Sequence, residues 1–152
     1  MHMAEHDGAA VVEVLQNCVI FNDGAHKEVT DKEVRDDRQL WLEHGKPMIF
    51  GKNKDKGIVL RGTSLEVVTI GENGITENDI LVHDETTENT GIHMMLAQMR
   101  PPQFPMAFGV IRAYKQPTYN QLFEKQMIEA QENAKIKCVD GLLNSGETWE
   151  VE

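Results

Sequence analysis

Val11-Val12-Glu13-Val14-Leu15-Gln16-Asn17-Cys18-Val19-Ile20-Phe21-Asn22-Asp23-Gly24 runs from a β-branched apolar segment, through one cysteine, into an Asn-Asp-Gly turn. Ala10 to Leu15, bounded by Gly8 and Asn17, has the composition of a buried strand. Such a strand delivers the Cys18 thiol to a sheet edge beside a polar turn, a setting for a soft metal ligand. Iron–sulfur clusters take thiolates of this kind but normally need four, and one cysteine cannot complete the set. A buried first strand also needs neighbours, and few parallel partners follow it. The pattern is that of a sheet that has been cut.

Outward from this segment the chain reads as α/β. The polar stretch from His26 to Arg38 predicts at most a short helix capped by Thr30 or Asp31, since Thr30 and Glu33 have capping-box spacing. Gln39-Leu40-Trp41-Leu42 and Pro47-Met48-Ile49-Phe50-Gly51 read as strand starts. The lysine-rich run Lys52 to Gly57 reads as a hairpin tip, followed by strands at Ile58–Leu60 and Leu65–Ile70 and a turn at Glu72-Asn73-Gly74. Ile80 to His83 reads as a short strand. Ile92, Met95, Leu96 and Met99 then fall on one face of a helix that Asn89 or Thr90 can cap and Pro101-Pro102 ends. Met106 to Tyr114 predicts a further strand. Pro117-Thr118 opens a helix from Tyr119 to about Ala134, with Tyr119, Leu122, Phe123, Met127 and Ile128 as its apolar face. The tail from Gly141 to Val151 is too apolar to be left free and is expected to dock.

The bulk composition narrows the function classes. With 152 residues, 40% hydrophobic and 26% charged, the chain is expected to form one globular domain. No apolar run approaches the ~20 residues that cross a bilayer, so no membrane role is expected. Met1-His2-Met3 resembles a cloning remnant, and the start has neither the basic flank nor the apolar core of a secretory signal. A net charge of -10 argues against nucleic-acid binding and fits a cytoplasmic protein or one that meets a basic partner patch, without selecting between them. Cys18 and Cys138 form no C-x-x-C pair, and a structural disulfide is not expected in such a chain.

Each chemistry-bearing group also has a plain structural reading. Cys18 is either a packed thiol, the ordinary reading of a buried cysteine, or a ligand; its polar surroundings, Asn17 and Asn22-Asp23-Gly24, shift the balance toward the second. Cys138 reads as a surface thiol without a metal role. His83, Asp84, Glu85, Glu88 and His93 offer nitrogen and oxygen ligands, but Asp84 to Asn89 has the character of a solvated loop leading into a helix. His93 is expected on that helix's flank. The lysine-rich Gly51-to-Gly57 loop lacks the Gly-Lys-Ser/Thr ending of a phosphate-binding loop. No hydrolase elbow, zinc-protease helix or dinucleotide fingerprint is present in the sequence. No complete active site can be assembled from these residues.

Several stretches together resemble the β subunit of the 2-oxoacid:ferredoxin oxidoreductases, specifically its C-terminal half. They are Val12 to Gly24, Glu43-His44-Gly45-Lys46-Pro47-Met48-Ile49-Phe50-Gly51, Phe104-Pro105-Met106-Ala107-Phe108-Gly109-Val110-Ile111-Arg112-Ala113, Pro117-Thr118-Tyr119, and Leu143-Asn144-Ser145-Gly146-Glu147-Thr148-Trp149-Glu150-Val151. Gln16-Asn17-Cys18 with Phe21-Asn22-Asp23-Gly24 is more similar to the 2-oxoglutarate type than to the pyruvate type.

The resemblance implies a thiamine-diphosphate- and magnesium-dependent enzyme that decarboxylates a 2-oxoacid. Electrons pass singly through a [4Fe–4S] cluster to ferredoxin, and coenzyme A takes the acyl group. It implies that Cys18 is the fourth cluster thiolate and that Asn22 and Asp23 line the cofactor cavity. By the same resemblance, residues 4–45 form the truncated edge of a thiamine-diphosphate-binding-type domain. Residues 46–152 form the subunit's C-terminal extension, a β-rich insert with C-terminal helices, which packs against the companion α subunit and a symmetry-related β subunit. The family's Gly-Asp-Gly…Asn segment for magnesium diphosphate, and the other three cluster cysteines, have no counterpart in this sequence. Alone, the chain is therefore expected to bind neither cofactor and to have no catalytic residue or turnover of its own. As a fragment it should expose Ala10 to Phe21 and form a homodimer or exchange strands through it. The alternative is a stand-alone, non-catalytic interaction module derived from the subunit, in which the chain's own helices cover that segment.

Overall fold

The computed structural model describes residues 2–149, so Glu150 and Val151 of the expected tail lie outside the described residues. In chain order the elements are α1 (His2–Glu5), α2 (Lys27–Thr30), α3 (Arg35–Arg38), β1 (Gln39–Leu42), β2 (Ile49–Phe50), β3 (Lys56–Arg61), β4 (Ser64–Thr69), a 3-10 turn (Glu77–Asp79), α4 (Thr90–Gln98), β5 (Met106–Gly109), α5 (Tyr119–Asn133) and α6 (Val139–Leu143). The architecture is mixed α/β, with one parallel and one antiparallel sheet. Two compact units are present: Val12–Lys115, and Met1–Val11 together with Gln116–Glu152.

In the larger unit, β1 pairs in parallel with β5, in the register Leu40 to Ala107 and Trp41 to Phe108. The alternation expected of Leu40-Trp41-Leu42 is realised: both leucines are buried, and Trp41 points outward to stack on Phe108 at 5.3 Å between ring centroids. β2, β3 and β4 form an antiparallel sheet whose hairpins are the ones read from the sequence. At the lysine-rich tip, Lys56 donates to Asp37 at 2.8 Å, and this bond holds the Asp37 carboxyl below its ordinary range. The core joins Leu40, Met48, Ile58, Leu96 and Met99, all buried. Helix α4 brings Leu96 to it, and the Asn89 side chain accepts from the Gly91 amide as the cap.

Several expectations are corrected. Ala10 to Leu15 forms no strand: it has no ladder partner, and Val11, Val12 and Val14 are exposed, Val11 at 97%. The Thr30–Glu33 capping box does not form; Thr30 ends α2, donating to the His26 carbonyl, and Asp31 accepts from the Glu33 amide. Ile80 to His83 makes one isolated bridge rather than a strand, Val82 opposite Pro47, closed by the Met48 amide donating to the Leu81 carbonyl and the His83 amide donating to the Lys46 carbonyl. The strand expected to reach Tyr114 stops at Gly109. That residue has φ +99°, and a Cβ there would lie 2.7 Å from the Leu42 carbonyl oxygen. Beyond it the chain turns to bond the 83–85 loop, through the His83 ring to Val110 and the Ala113 amide to Glu85.

In the smaller unit, Thr118 caps α5 through a full capping box with Gln121. No residue of α5 is buried, and its expected apolar face lies open. The tail is not covered by this chain either: Leu142, Leu143 and Trp149 are exposed.

Leu40→Ala is expected to lower unfolding free energy by ~2–5 kcal/mol, since the side chain is 0% exposed at the centre of the core. Gly109→Ala is expected to cost ~1–3 kcal/mol through backbone strain at the β1–β5 junction. Urea unfolding of the purified variants measures both.

Candidate functional site

Cys18, Asn22 and Asp23 are brought together in one turn. The Asn22 amide donates to the Cys18 carbonyl at 2.9 Å, and the two residues form an isolated antiparallel bridge. Asn17 spans the turn from outside: its Nδ2 donates to Asp23 Oδ1 at 2.9 Å, and its Oδ1 accepts from the Gly24 amide at 2.8 Å. Gly24 has φ +76°, the left-handed conformation that lets the chain leave the turn toward α2.

The amides of Phe21, Ile20 and Asn22, in order of effect, lower the Cys18 pKa, while partial burial opposes them. Amides converging on one sulfur favour the thiolate for the same reason that a nest of N–H groups favours any anion. The Cys18 side chain is half-buried, so the sulfur stays reachable. The site therefore suits a thiolate ligand, which is the chemistry a cluster asks of a cysteine. The fit to thiamine diphosphate is weaker: Asp23 gives one carboxylate oxygen to Asn17, and Asn22 is exposed. Among the described residues no group of three or more His, Cys, Asp or Glu is arranged to hold a metal ion. Asn17 was readable only as a polar neighbour; its clamp across six residues becomes visible once the turn is closed.

The second constellation separates into two roles. His83 and His93 are buried, at 2% and 4% exposure, with rings edge to face at 6.3 Å. Burial corrects the helix-flank expectation for His93. Each ring donates Nε2–H to a carbonyl: His83 to Val110 and His93 to Asp84, both at 2.8 Å. These bonds place a proton on each Nε2 and tie the 83–85 loop to the segment after β5 and to α4. His93 Nδ1 is buried without a hydrogen-bond partner. Asp84 points away, its carboxyl held below the usual range first by the Thr86 hydroxyl and then by the Thr86 amide, with His44 and His93 contributing less. Glu85 and Glu88 do not converge with the imidazoles; Glu88 instead accepts from the Tyr114 hydroxyl. Cys138 is exposed and caps α6, accepting from the Gly141 amide.

The geometry of a thiolate at the rim of an Asn-Asp-Gly turn, in a mixed α/β chain, agrees with the resemblance to a redox-enzyme β subunit. Comparison with known proteins bears this out. The chain is similar to the 2-oxoglutarate oxidoreductase subunit KorB of Mycobacterium tuberculosis (strain ATCC 25618 / H37Rv), at 32% identity over 152 aligned residues. The alignment takes in 98% of this chain but 40% of that protein, a share consistent with its C-terminal half. No family profile matches the chain, and no solved structure does. Among the described residues no helix is long and apolar enough to cross a membrane.

Because the thiolate is the nucleophile toward alkylating agents, a lowered thiol pKa shifts reactivity to lower pH. In a Cys138→Ser background, the iodoacetamide rate at Cys18 is expected to reach half-maximum at a lower pH in the folded chain than in urea. The same depression adds stability above the unfolded pKa, which is lost as pH falls through the folded value. Equal or higher midpoints in the folded chain would show that the amides do not act on the sulfur.

Proposed function

We propose that this chain is the C-terminal part of the β subunit of a 2-oxoglutarate:ferredoxin oxidoreductase, and that Cys18 is one thiolate of its [4Fe–4S] cluster. The reading rests above all on the similarity to KorB along 98% of the chain. In the intact enzyme, thiamine diphosphate with magnesium supplies the carbanion chemistry, and the cluster carries single electrons to ferredoxin, with coenzyme A accepting the acyl group. The chain's own contribution is narrower. Cys18 presents a half-buried sulfur whose negative charge is supported by the amides of Phe21, Ile20 and Asn22. Hydrogen bonds of that kind to cluster sulfurs also tune reduction potential. Asn17 holds the turn shut, and Asn22 and Asp23 would line the cofactor cavity.

Residues 4–45 then close the edge of the cofactor-binding domain. Residues 46–152 form the extension that meets the companion α subunit and the symmetry-related β subunit, in a cytoplasmic enzyme. The open state of Val11 to Phe21 supports this reading over the stand-alone module, which would cover the segment with its own helices. Val11 is 97% and Phe21 90% exposed.

The test is made at two levels. Anaerobic treatment of the isolated chain with ferrous iron and sulfide is expected to leave no iron bound after desalting, because three ligands are missing. In the assembled enzyme whose β subunit carries this segment, Cys18→Ala is expected to abolish 2-oxoglutarate-dependent viologen reduction and to remove the cluster's absorbance. Full activity with an intact cluster in that variant would refute the ligand assignment.

A further inference from the structure

The loop that carries Cys18 is held by hydrogen bonds rather than by packing. Between Cys18 and Asn22 the side chains of Val19, Ile20 and Phe21 are 74%, 82% and 90% exposed. One main-chain bond closes the loop, from the Asn22 amide to the Cys18 carbonyl at 2.9 Å. The residue before the cysteine supplies two more. Asn17 Nδ2 donates to Asp23 Oδ1 at 2.9 Å, and Asn17 Oδ1 accepts from the Gly24 amide at 2.8 Å.

This clamp explains why a carboxamide stands at position 17. One end of it donates to a carboxylate while the other accepts from an amide. Alanine there would make neither bond, and aspartate would set acceptors against the acceptors of Asp23. Because Asn17 directly precedes Cys18, its side chain spans from the sulfur's own residue to the far side of the loop. Opening the clamp lets the backbone of Phe21, Ile20 and Asn22 move relative to that sulfur, and this backbone favours negative charge on it. Cluster potentials respond to hydrogen bonding around the ligand sulfurs and to solvent access.

We propose that Asn17 is a positioning residue for the cluster: by clasping Asp23 and Gly24 it fixes the loop around the Cys18 sulfur and thereby sets the cluster's reduction potential. The inference rests on the reading of Cys18 as a cluster thiolate, and adds to it the residue that prepares the thiolate.

The clamp is tested in the isolated full chain by amide hydrogen exchange followed by NMR, with Leu96, buried in α4, as the control for the rest of the fold. Asn17→Ala is expected to speed exchange of the Asn22 and Gly24 amides about fivefold and to leave Leu96 unchanged. Asn17→Asp is expected to do the same. The reciprocal variant N17D/D23N exchanges donor and acceptor across the clamp, keeps the net charge, and is expected to restore the wild-type rates. In the assembled enzyme whose β subunit carries this segment, redox titration followed by electron paramagnetic resonance reads the cluster itself. Asn17→Ala is expected to lower its reduction potential, because the loop backbone then supports the more negative reduced state less well, and N17D/D23N to return it to the wild-type value. Should Asn17→Ala lose the cluster, its return in N17D/D23N supports the proposal and its continued absence overturns it. Unchanged exchange in Asn17→Ala, or a reciprocal variant that restores nothing, would overturn the clamp. A potential that does not move in Asn17→Ala would overturn the positioning role. These failures leave the ligand assignment standing, since that assignment fails only if the cluster survives Cys18→Ala.

Discussion

The larger unit depends on one pairing: the parallel ladder between Gln39–Leu42 and Met106–Gly109. A parallel pair cannot be closed by a tight turn, so the whole intervening chain must be folded compactly between its two strands. That chain supplies the antiparallel sheet and α4, and both set apolar side chains against Leu40 and Leu42. The ladder's end at Gly109 then directs the following residues across the 83–85 loop. Two buried imidazoles fasten that loop by donating to backbone carbonyls. Histidines that could have been ligands are in this way committed as structural donors.

The candidate site depends on different physics. It contains little apolar packing and stands on a short-range network: an asparagine bridging a turn, a glycine at positive φ, and a thiol whose pKa the turn's backbone lowers. The chain aligns with 40% of KorB and leaves Val11, Val12 and Val14 open to water. The open stripe on α5 extends the same theme, because its length and spacing store burial free energy that the chain alone does not collect.

Local signals carried the elements whose determinants are local. The alternation in Leu40-Trp41-Leu42, the turn chemistry around Lys52–Gly57 and Glu72-Asn73-Gly74, the Asn89 cap and the Pro117-Thr118 helix start all act within a few residues. They were legible for that reason. The strand expected at Ala10 to Leu15 failed because β propensity describes a fit to a half-buried pleated surface, and this chain provides no such surface there. Met106 to Tyr114 was read too long because the stop at Gly109 comes from a backbone approach to Leu42, a contact between strands far apart in sequence.

The sequence by itself determined the α/β character, the cysteine set before an Asn-Asp-Gly turn, and the similarity to KorB. Those rest on composition, local spacing and motif, which are one-dimensional properties. The tertiary structure alone decided that β1 pairs with β5, that His83 and His93 are buried, and that Asn17 clasps Asp23 and Gly24. Each of these requires groups separated along the chain to meet, and burial and hydrogen-bond direction exist only once they have met.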